Sequence, residues 1–520
     1  MKTVNERQSS LLAMSLIGLL ACAITLFSCS TDDDGIVSVT GVSISPSSLS
    51  MIVGESSELS ATISPSDASV TTVTWKSSNT SIATVSSGVV TAVAAGTATI
   101  TVTTTDGEYT ATCSVVVDEE VSEEDSDDDD NSDEENSTDE GSYSQTSGNV
   151  SVSGKTYSST TSDVNAVMVS GGTFTMTDCT ISKEGGDTSN SDNSSFYGTN
   201  AAVLATDGGT ISMSGGTITT DAKGANGIVA YGGTVEVSDV TINCTQQLSR
   251  GIHATGGGTI TASNLTITTK ESNSSVIALD RGGGTVNVTG GTYTTTGSDC
   301  AVLYSTGNLT VNGITGSSSQ GEIGVIEGDN YITINNSNLT SGAGSSSRGL
   351  MILQSGSGDG GDGLNGVITV TGGSLTLTGA STSLIEIVTN VNGTVTLDSV
   401  ATTIPSGILM TVDYNTRWST YGATGILNLS GNGMTYTGSI VADSYSSAQL
   451  TISNGVIWQG AYDNANTAKS TSLTINGGTW TLTGNSYVDS ITLTNNAVIN
   501  KNGYTLTYSS LTQTSGTIND

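Results

Sequence analysis

One segment of the 520-residue chain combines flat aromatic side chains with side chains that form paired hydrogen bonds. Residues 413–425 read DYNTRWSTYGATG. Such a mixture suits a sugar ring, whose C–H face is apolar and whose rim is polar. The alternative is that a long loop uses its aromatics to pack against itself. The candidate ligand-binding residues are Asp413, Tyr414, Asn415, Arg417, Trp418 and Tyr421.

A second loop, residues 354–366, reads QSGSGDGGDGLNG and carries Asp359 and Asp362 among glycines. It resembles a single calcium-binding nonapeptide of the repeat-in-toxin type. Sites of that type need stacked copies to complete the coordination of the ion, and this loop holds one copy. We therefore expect no cofactor, with calcium at Asp359 and Asp362 as the alternative to a flexible loop.

Catalytic residues are not assigned. A polysaccharide lyase needs a basic side chain beside carboxylates, and a glycoside hydrolase needs converging carboxylates. The densest groups of such side chains are Arg250, His253, Asp280 and Arg281 on the basic side, and Glu322, Glu327 and Asp329 on the acidic side. His253 occupies a repeat position that is apolar elsewhere, which favours a tolerated substitution over a catalyst. A lyase or hydrolase therefore stays the alternative and not the favoured interpretation.

The composition excludes two classes of protein. Thirteen Lys and Arg residues against 48 Asp and Glu give a net charge of -35, which excludes a nucleic-acid binder that neutralises phosphates. A mean hydropathy near zero excludes a polytopic membrane protein. Fifteen of the acidic residues lie in residues 118–140, so this one segment carries -15 of the net charge and the rest of the chain carries -20.

The N-terminus has the pattern of an export signal. Two basic residues precede an apolar run that extends from Leu11 to Phe27. Its end, LFSC, resembles a bacterial lipobox, which predicts a lipoprotein signal peptide at residues 1–28 and lipidation of Cys29. Cys22 in LLAC is the alternative. The acidic tether at 29–35 resembles the signal that sends some Gram-negative lipoproteins to the cell surface, so we expect a lipid-anchored, surface-exposed protein of the outer membrane.

Residues 36–117 alternate apolar and polar positions in short strands, which predicts a small antiparallel sandwich. The phrases VSISP, WKSSN and GVVTAVAAGTA closely resemble the group 2 bacterial immunoglobulin-like domain. Trp75 is expected in its core, and Cys113 has no partner cysteine within the segment. The acidic stretch at 118–147 cannot bury apolar surface and is expected to be a disordered linker.

From residue 148 to residue 520 the sequence repeats with a period of about 25 residues, with Gly-rich turns between short strands. This pattern predicts a parallel β-helix and resembles the right-handed pectin-lyase-like fold. The expected interior ladder is Val167, Val203, Ile228, Ile252, Ile277 and Val302. Cys179, Cys244 and Cys300 stand singly in different coils, so we expect buried, unpaired thiols.

Three inserts interrupt the repeat, at residues 182–200, 354–366 and 413–425. The last two leave the same corner of the coil with one ordinary coil between them, so their roots should lie about 10 Å apart. Inserts in a solenoid often carry binding sites. This coincidence marks the two loops as the best candidate site.

The sequence therefore predicts an all-β protein, a small immunoglobulin-like sandwich followed by a long right-handed parallel β-helix. The favoured function is a cell-surface adhesin or glycan-binding rod on a stalk, with host or dietary glycans or surface glycoproteins as partners. A polysaccharide lyase or glycoside hydrolase and a passive surface spacer are the alternatives. No nucleic acid is expected, and the membrane is contacted only through the lipid anchor.

Overall fold

The computed structural model describes residues 37–46, 48–54, 56–94, 96–118, 141–342, 348–355, 360–361, 363–380, 382–414 and 421–520. These residues are nearly all β-structure and fall into two compact units, 37–118 and 141–520. The all-β fold class is confirmed.

The first unit is a small β-sandwich. Its four-stranded sheet has the order Ser48–Ile52, Thr110–Asp118, Gly96–Thr104 and Val73–Ser77. A three-stranded sheet has the order Ser56–Glu58, Val89–Ala92 and Ala83–Ser86, and a two-stranded sheet pairs Gly41–Ser45 with Ser60–Ser64.

The prediction of a wholly antiparallel sandwich is wrong at one strand pair. Ser48–Ile52 runs parallel to Thr110–Asp118. The chain leaves the strand Gly41–Ser45 at Pro46, which has no N–H to continue a ladder, and joins the edge of the other sheet beside that last strand. Trp75 packs against the sandwich core as expected, and the thiol of Cys113 is buried and free.

The second unit is a parallel β-solenoid with three faces. One face is a 12-stranded sheet, and every strand in it pairs with the strand of the next coil. Its strands are Tyr143–Gln145, Val167–Val169, Val203–Thr206, Ile228–Tyr231, Ile252–Thr255, Ile277–Leu279, Leu303–Ser305, Gly324–Glu327, Leu350–Leu353, Ile385–Val388, Ile408–Asp413 and Ser439–Ala442. The first of these begins a few residues before the expected start at 148.

The second face is a 15-stranded sheet that runs the length of the solenoid, about 70 Å at a strand spacing of ~4.8 Å. Its strands are Asn149–Ser153, Thr173–Thr177, Thr210–Ser214, Thr234–Ser238, Gly258–Ser263, Gly284–Thr289, Asn308–Asn312, Tyr331–Asn335, Val367–Thr371, Asn392–Asp398, Thr424–Ser430, Ser447–Ser453, Ser470–Asn476, Ser486–Thr494 and Leu506–Gln513.

The third face is divided into a 10-stranded and a five-stranded sheet. The former contains Thr156–Ser159, Thr180–Lys183, Thr217–Thr220, Thr241–Cys244, Thr266–Thr269, Thr292–Ser298, Thr315–Gln320, Asn338–Ser341, Ser374–Leu377 and Ala401–Thr403. The latter contains Thr435–Thr437, Ile457–Gly460, Thr479–Leu482, Ala497–Asn500 and Gly516–Asn519.

The solenoid core is one continuous apolar cluster that extends from Tyr157 to Ile499. The interior ladder is confirmed from Val167 to Ile277, but the next partner of Ile277 is Leu303 and not Val302. The extra residue lies in the turn between Leu279 and Gly284, because Leu279 pairs with Ala254 at a separation of 25 residues whereas Gly284 pairs with Gly258 at a separation of 26, and it moves the following strands along by one. The thiols of Cys179, Cys244 and Cys300 are buried and free, as expected.

The insert at 182–200 contains the helix α1, Ser191–Tyr197. The side chain of Asn190 caps its N-terminus, and Gly198 ends it in the left-handed region with φ of 74°. The helix lies on the outer surface of the 12-stranded sheet, because the hydroxyl of Thr255 donates to the Phe196 carbonyl (3.1 Å). Under it Ala201, Leu204 and Val229 form a small buried cluster of their own.

Candidate functional site

Two of the inserts begin at the same edge of the 12-stranded sheet. One follows Leu350–Leu353, the other follows Ile408–Asp413, and a single strand, Ile385–Val388, lies between them. At ~4.8 Å per strand the two roots are about 10 Å apart. The expectation that these loops share a corner of the coil is confirmed.

The structure describes three of the six residues expected to bind a ligand, namely Asp413, Tyr414 and Tyr421. The other proposed functional residues lie outside the described residues, so their roles stay predictions. They are Asn415, Arg417 and Trp418 in the same loop, Asp359 and Asp362 in the proposed calcium loop, and Cys29 at the proposed lipidation site.

Asp413 and Tyr414 meet equivalent residues of the next coil. Val412 pairs with Ala442, so Asp413 and Asp443 directly follow paired residues in adjacent strands. The rings of Tyr414 and Tyr445 pack against each other with centroids 4.4 Å apart and an interplanar angle of 54°. We name Asp413, Tyr414, Tyr421, Asp443 and Tyr445 the tyrosine–aspartate patch.

Asp443 positions the two packed tyrosines. Its Oδ2 accepts a hydrogen bond from the Tyr414 backbone N–H (2.9 Å), and its Oδ1 accepts one from the Tyr445 backbone N–H (3.0 Å). Hydrogen bonds to an ionised carboxylate are stronger than neutral ones. One side chain thus fixes the backbone beneath both aromatic rings.

The third tyrosine of the patch is held close by backbone packing. Tyr421 is 68 % exposed and Tyr445 is 52 % exposed. Gly422, next to Tyr421 in the sequence, lies against the backbone of Tyr445, and a Cβ built on Gly422 would stand 2.1 Å from the Tyr445 carbonyl oxygen. Only glycine permits this approach, so the sequence Tyr421-Gly422 brings a second exposed ring to the patch.

An open pocket of about 440 Å³, the first pocket, adjoins the patch. Its floor comes from the ends of two neighbouring strands, and its lining includes two carboxylates and three hydroxyl side chains. The lining residues are Thr411, Val412, Asp413, Val441, Ala442, Asp443, Ser444 and Thr467. The pocket therefore offers apolar walls with a few polar groups, as small-ligand sites do.

Asp413 is the reactive carboxyl of the patch. Burial raises its pKa to about 7, and the carboxylates of Glu386 and Asp443 add to the increase, while Arg348 opposes it. Among the described residues its Oδ1 is buried without a hydrogen-bond partner. Because its pKa is raised toward neutrality, this carboxyl can either donate to or accept from a hydroxyl group of a ligand.

A chain of charges continues from the patch along the outer surface of the same sheet. Arg348 forms an ion pair with Glu386, and its Nη1 lies 3.9 Å from Glu322 Oε1. Burial raises the pKa of Glu322 to about 7. Within the described part of the chain, one arginine therefore faces several carboxyls, and the charges of Glu386 and Asp443 add to the effect of burial on the pKa of Asp413.

The basic and acidic groups singled out in the sequence do not assemble into a catalytic site. Arg250 forms an ion pair with Asp280 (2.8 Å), and the guanidinium of Arg281 lies 3.9 Å from the centroid of the Phe196 ring. Both interactions secure the surface beneath helix α1. His253 is fully buried, and burial lowers its pKa well below 6.5, which does not suit a proton-transfer role.

The acidic candidates are likewise separated from one another. Glu327 accepts a hydrogen bond from the Tyr304 hydroxyl (3.1 Å), and Asp329 accepts one from the Tyr331 hydroxyl (3.4 Å). Glu322 faces Arg348 instead. Each of these three carboxylates thus has a different partner in the described structure.

Sequence reasoning missed Asp443 and Tyr445. A signal for them was present, because the sequences Val412-Asp413-Tyr414 and Ala442-Asp443-Ser444-Tyr445 are similar and stand at the ends of consecutive strands. Within the described residues, no group of three or more His, Cys, Asp or Glu side chains is placed to hold a metal ion. None of these residues forms a helix long and apolar enough to cross a membrane.

Comparison with known proteins concerns the first unit. Residues 38–115 match the family model of the group 2 bacterial Ig-like domain. An Ig-like virion protein of Serratia phage KSP90 is 43% identical over 84 residues, which are 16% of this chain and 33% of that protein. An α-L-arabinofuranosidase of Bifidobacterium longum subsp. longum is 43% identical over 83 residues, which are 16% of this chain and 8% of that protein.

The chain thus spans a third or less of the curated relatives it matches, and the matched lengths are close to that of the Ig-like domain. The activity of neither relative follows for this chain. Residues 38–115 of the chain form a group 2 bacterial Ig-like domain, and a parallel β-solenoid that begins at Tyr143 follows it.

Proposed function

We propose that this protein is a surface-exposed glycan-binding protein that contacts its ligand through the tyrosine–aspartate patch. An Ig-like domain joined to a β-solenoid fits a surface-exposed protein with a rod-like solenoid. The observation that carries the proposal is the packed pair Tyr414 and Tyr445 beside a pocket of about 440 Å³.

The chemistry of the patch supports a sugar ligand. Exposed tyrosine rings offer large, rigid apolar faces at a small entropic cost, and a sugar presents a matching C–H face. Asp413 lines the first pocket as a half-buried carboxyl, which can form a hydrogen bond with a ring hydroxyl. Asp443 is a positioning residue, because both of its oxygens already hold backbone N–H groups.

The test is a glycan array and solution titration with the full chain. Tyr445→Ala, and separately Trp418→Ala in the adjoining loop, should lower affinity for the bound glycan about tenfold, since truncating a tyrosine or tryptophan that contacts the ligand commonly costs more than about 1 kcal/mol. Tyr331→Ala is the matched control, because Tyr331 is also exposed but lies on the 15-stranded sheet. Binding that survives both test variants unchanged would contradict the patch as the site.

The same preparation decides between binding and its alternatives. Incubation with a polysaccharide panel is followed for new reducing ends, the product of a hydrolase, and for unsaturated ends, the product of a lyase. Product formation would replace the binding proposal by an enzymatic one. A chain that binds no glycan and forms no product would be a passive surface spacer.

We also propose that the protein is a lipoprotein anchored at Cys29 in the outer membrane and exposed at the cell surface. The support is the apolar run from Leu11 to Phe27, the sequence LFSC at its end, and the acidic tether after it. Labelled fatty acid should be incorporated into the chain and into a Cys22→Ser variant, but not into Cys29→Ser. Loss of label in Cys22→Ser alone would move the anchor to Cys22. Protease treatment of intact cells tests surface exposure.

A further inference from the structure

A second pocket, of about 230 Å³, lies further along the solenoid. It is smaller than the ~300–1,000 Å³ typical of drug-sized ligands, so it holds no more than a small ring. It repeats the chemistry of the tyrosine–aspartate patch, with two tyrosines and two aspartates. The lining residues are Asp463, Asn466, Ala468, Thr471, Tyr487, Val488, Asp489, Thr507, Tyr508 and Ser509.

The polar walls of the second pocket are fixed by hydrogen bonds within the protein. Asp463 accepts the backbone N–H of Thr467 at Oδ1 (3.0 Å) and that of Ala468 at Oδ2 (3.1 Å). Asp489 Oδ2 accepts the backbone N–H of Thr471 (2.7 Å). A ligand would meet a surface that is already ordered, which reduces the entropic cost of binding.

The two pockets share a wall. Thr467 lines the first pocket, while its neighbours Asn466 and Ala468 line the second. The Thr467 hydroxyl donates to the Ala442 carbonyl (2.8 Å), which ties this segment to the floor of the first pocket. A ligand with linked rings can therefore pass over a single stretch of backbone from one pocket to the other.

The charge of the two pockets restricts the ligand. Among the residues that the structure describes, four aspartates line them, namely Asp413 and Asp443 in the first and Asp463 and Asp489 in the second, and no Lys or Arg does so. The side chain of Lys469 is exposed nearby but lines neither pocket. A uronic acid or a sulfated sugar would be repelled by these carboxylates.

We infer that the two pockets are subsites for one extended, neutral glycan chain. This inference rests on the proposed function, and it adds a second contact region and the charge of the ligand. Tyr508 is the expected contact in the second subsite, because its ring is exposed at the rim.

The experiment titrates the full chain with two kinds of oligosaccharide ladder, each from disaccharide to octasaccharide. Neutral gluco-, xylo- and manno-oligosaccharides form one kind, and oligogalacturonides form the other. Affinity for a neutral ladder should rise with length until both subsites are filled. Tyr508→Ala should lower affinity about tenfold for the longer members and leave the shortest unchanged. Tyr508→Phe keeps the ring and should retain most of the affinity.

The outcomes separate this inference from the proposed function. If Tyr445→Ala weakens binding but Tyr508→Ala has no effect at any length, the second subsite is overturned and the patch stands. Tighter binding to oligogalacturonides than to any neutral ladder would overturn the inference that the ligand is neutral. Absence of binding to every ladder and to a wider glycan array would overturn both proposals.

Discussion

His253, the one histidine of the chain, lies in the outer layer of the 12-stranded sheet between Val229 and Ala278. It is fully buried, and among the described residues neither ring nitrogen has a hydrogen-bond partner. A buried polar group without a partner costs about 1–3 kcal/mol. We therefore expect His253→Leu to raise the free energy of unfolding by about this amount at pH 7.5, since Leu204 fills the same register position two coils away.

The same residue predicts a pH dependence. Burial, and then the charge of Arg250, lower the pKa of His253 well below 6.5, so below about pH 6.5 the unfolded chain binds a proton that the folded chain does not. Stability should fall with decreasing pH by up to about 1.4 kcal/mol per pH unit from this source. Urea unfolding across this range should show the advantage of His253→Leu growing as pH falls.

His253→Asn is the matched control, because it keeps a buried polar group that does not titrate. It should lose the pH dependence without the gain in stability at pH 7.5. The raised pKa values of Glu322 and Asp413 act in the opposite direction, but they are common to all three proteins and cancel in the comparison. An advantage of His253→Leu that stays constant with pH would contradict a neutral, buried imidazole.

Residue-scale prediction from the sequence succeeded where one coil repeats the next. Apolar residues occupy the position of His253 in other coils, which predicted that His253 is a tolerated substitution at an apolar position. The sequence analysis named Asp413 as a candidate contact but could not predict its raised pKa, which depends on burial and on Glu386 and Asp443, brought near it only by the register of three strands. Local sequence does not contain that register.

Helix α1, in the insert at 182–200, covers part of the outer surface of the 12-stranded sheet. Gly198 ends the helix with φ of 74°, and a Cβ on Gly198 would stand 2.7 Å from both Leu204 Cδ1 and Val229 Cγ1. Gly198→Ala combines backbone strain with a clash, so it should loosen the helix at a cost of roughly 1–3 kcal/mol.

Hydrogen exchange measured by mass spectrometry tests this expectation. Peptides covering 190–200 should lose protection in Gly198→Ala, while peptides from the solenoid interior should keep theirs. Gly185→Ala is a matched control in the same insert, because Gly185 also has positive φ but has open space around its Cβ position. Equal losses in the two variants would show that strain alone, and not contact with Leu204 and Val229, decides the effect.

The sequence placed this insert but did not predict its helix. Asn190 and Asp192 are suitable residues for a helix N-terminus, and Gly198 for a C-terminus. Seven residues are too few to form a stable helix alone. The helix is stabilised by contacts such as that of Arg250 Nη1 with the Ser195 hydroxyl (3.2 Å), which lies 55 residues away in the sequence. A repeat pattern does not reveal contacts between residues so far apart in the sequence, so the helix could not be predicted from it. The strands could be predicted, because the same apolar pattern recurs in every coil.

At the scale of the whole solenoid, each coil contacts mainly the coils before and after it. Stability in such an array is approximately a sum of single-coil and neighbour terms. A different pair of stacked aromatic rings stabilises each end of the solenoid. Trp458 and Trp480 stack with centroids 5.0 Å apart near the C-terminal end, and Tyr143 and Phe174 stack at 4.3 Å at the N-terminal end.

We expect Trp480→Ala to open the C-terminal coils without affecting the N-terminal ones. Trp480 is fully buried, and its indole N–H donates to the Gly460 carbonyl (2.9 Å), so truncation should cost about 3–5 kcal/mol. Hydrogen exchange in the full chain should show lost protection in peptides from 457–519 and unchanged protection in peptides from 143–320. Phe174→Ala should give the mirror result, because its buried ring supports only the first coils. If either variant reduced protection evenly along the solenoid, the coils would form one cooperative unit, and the nearest-neighbour description would be wrong.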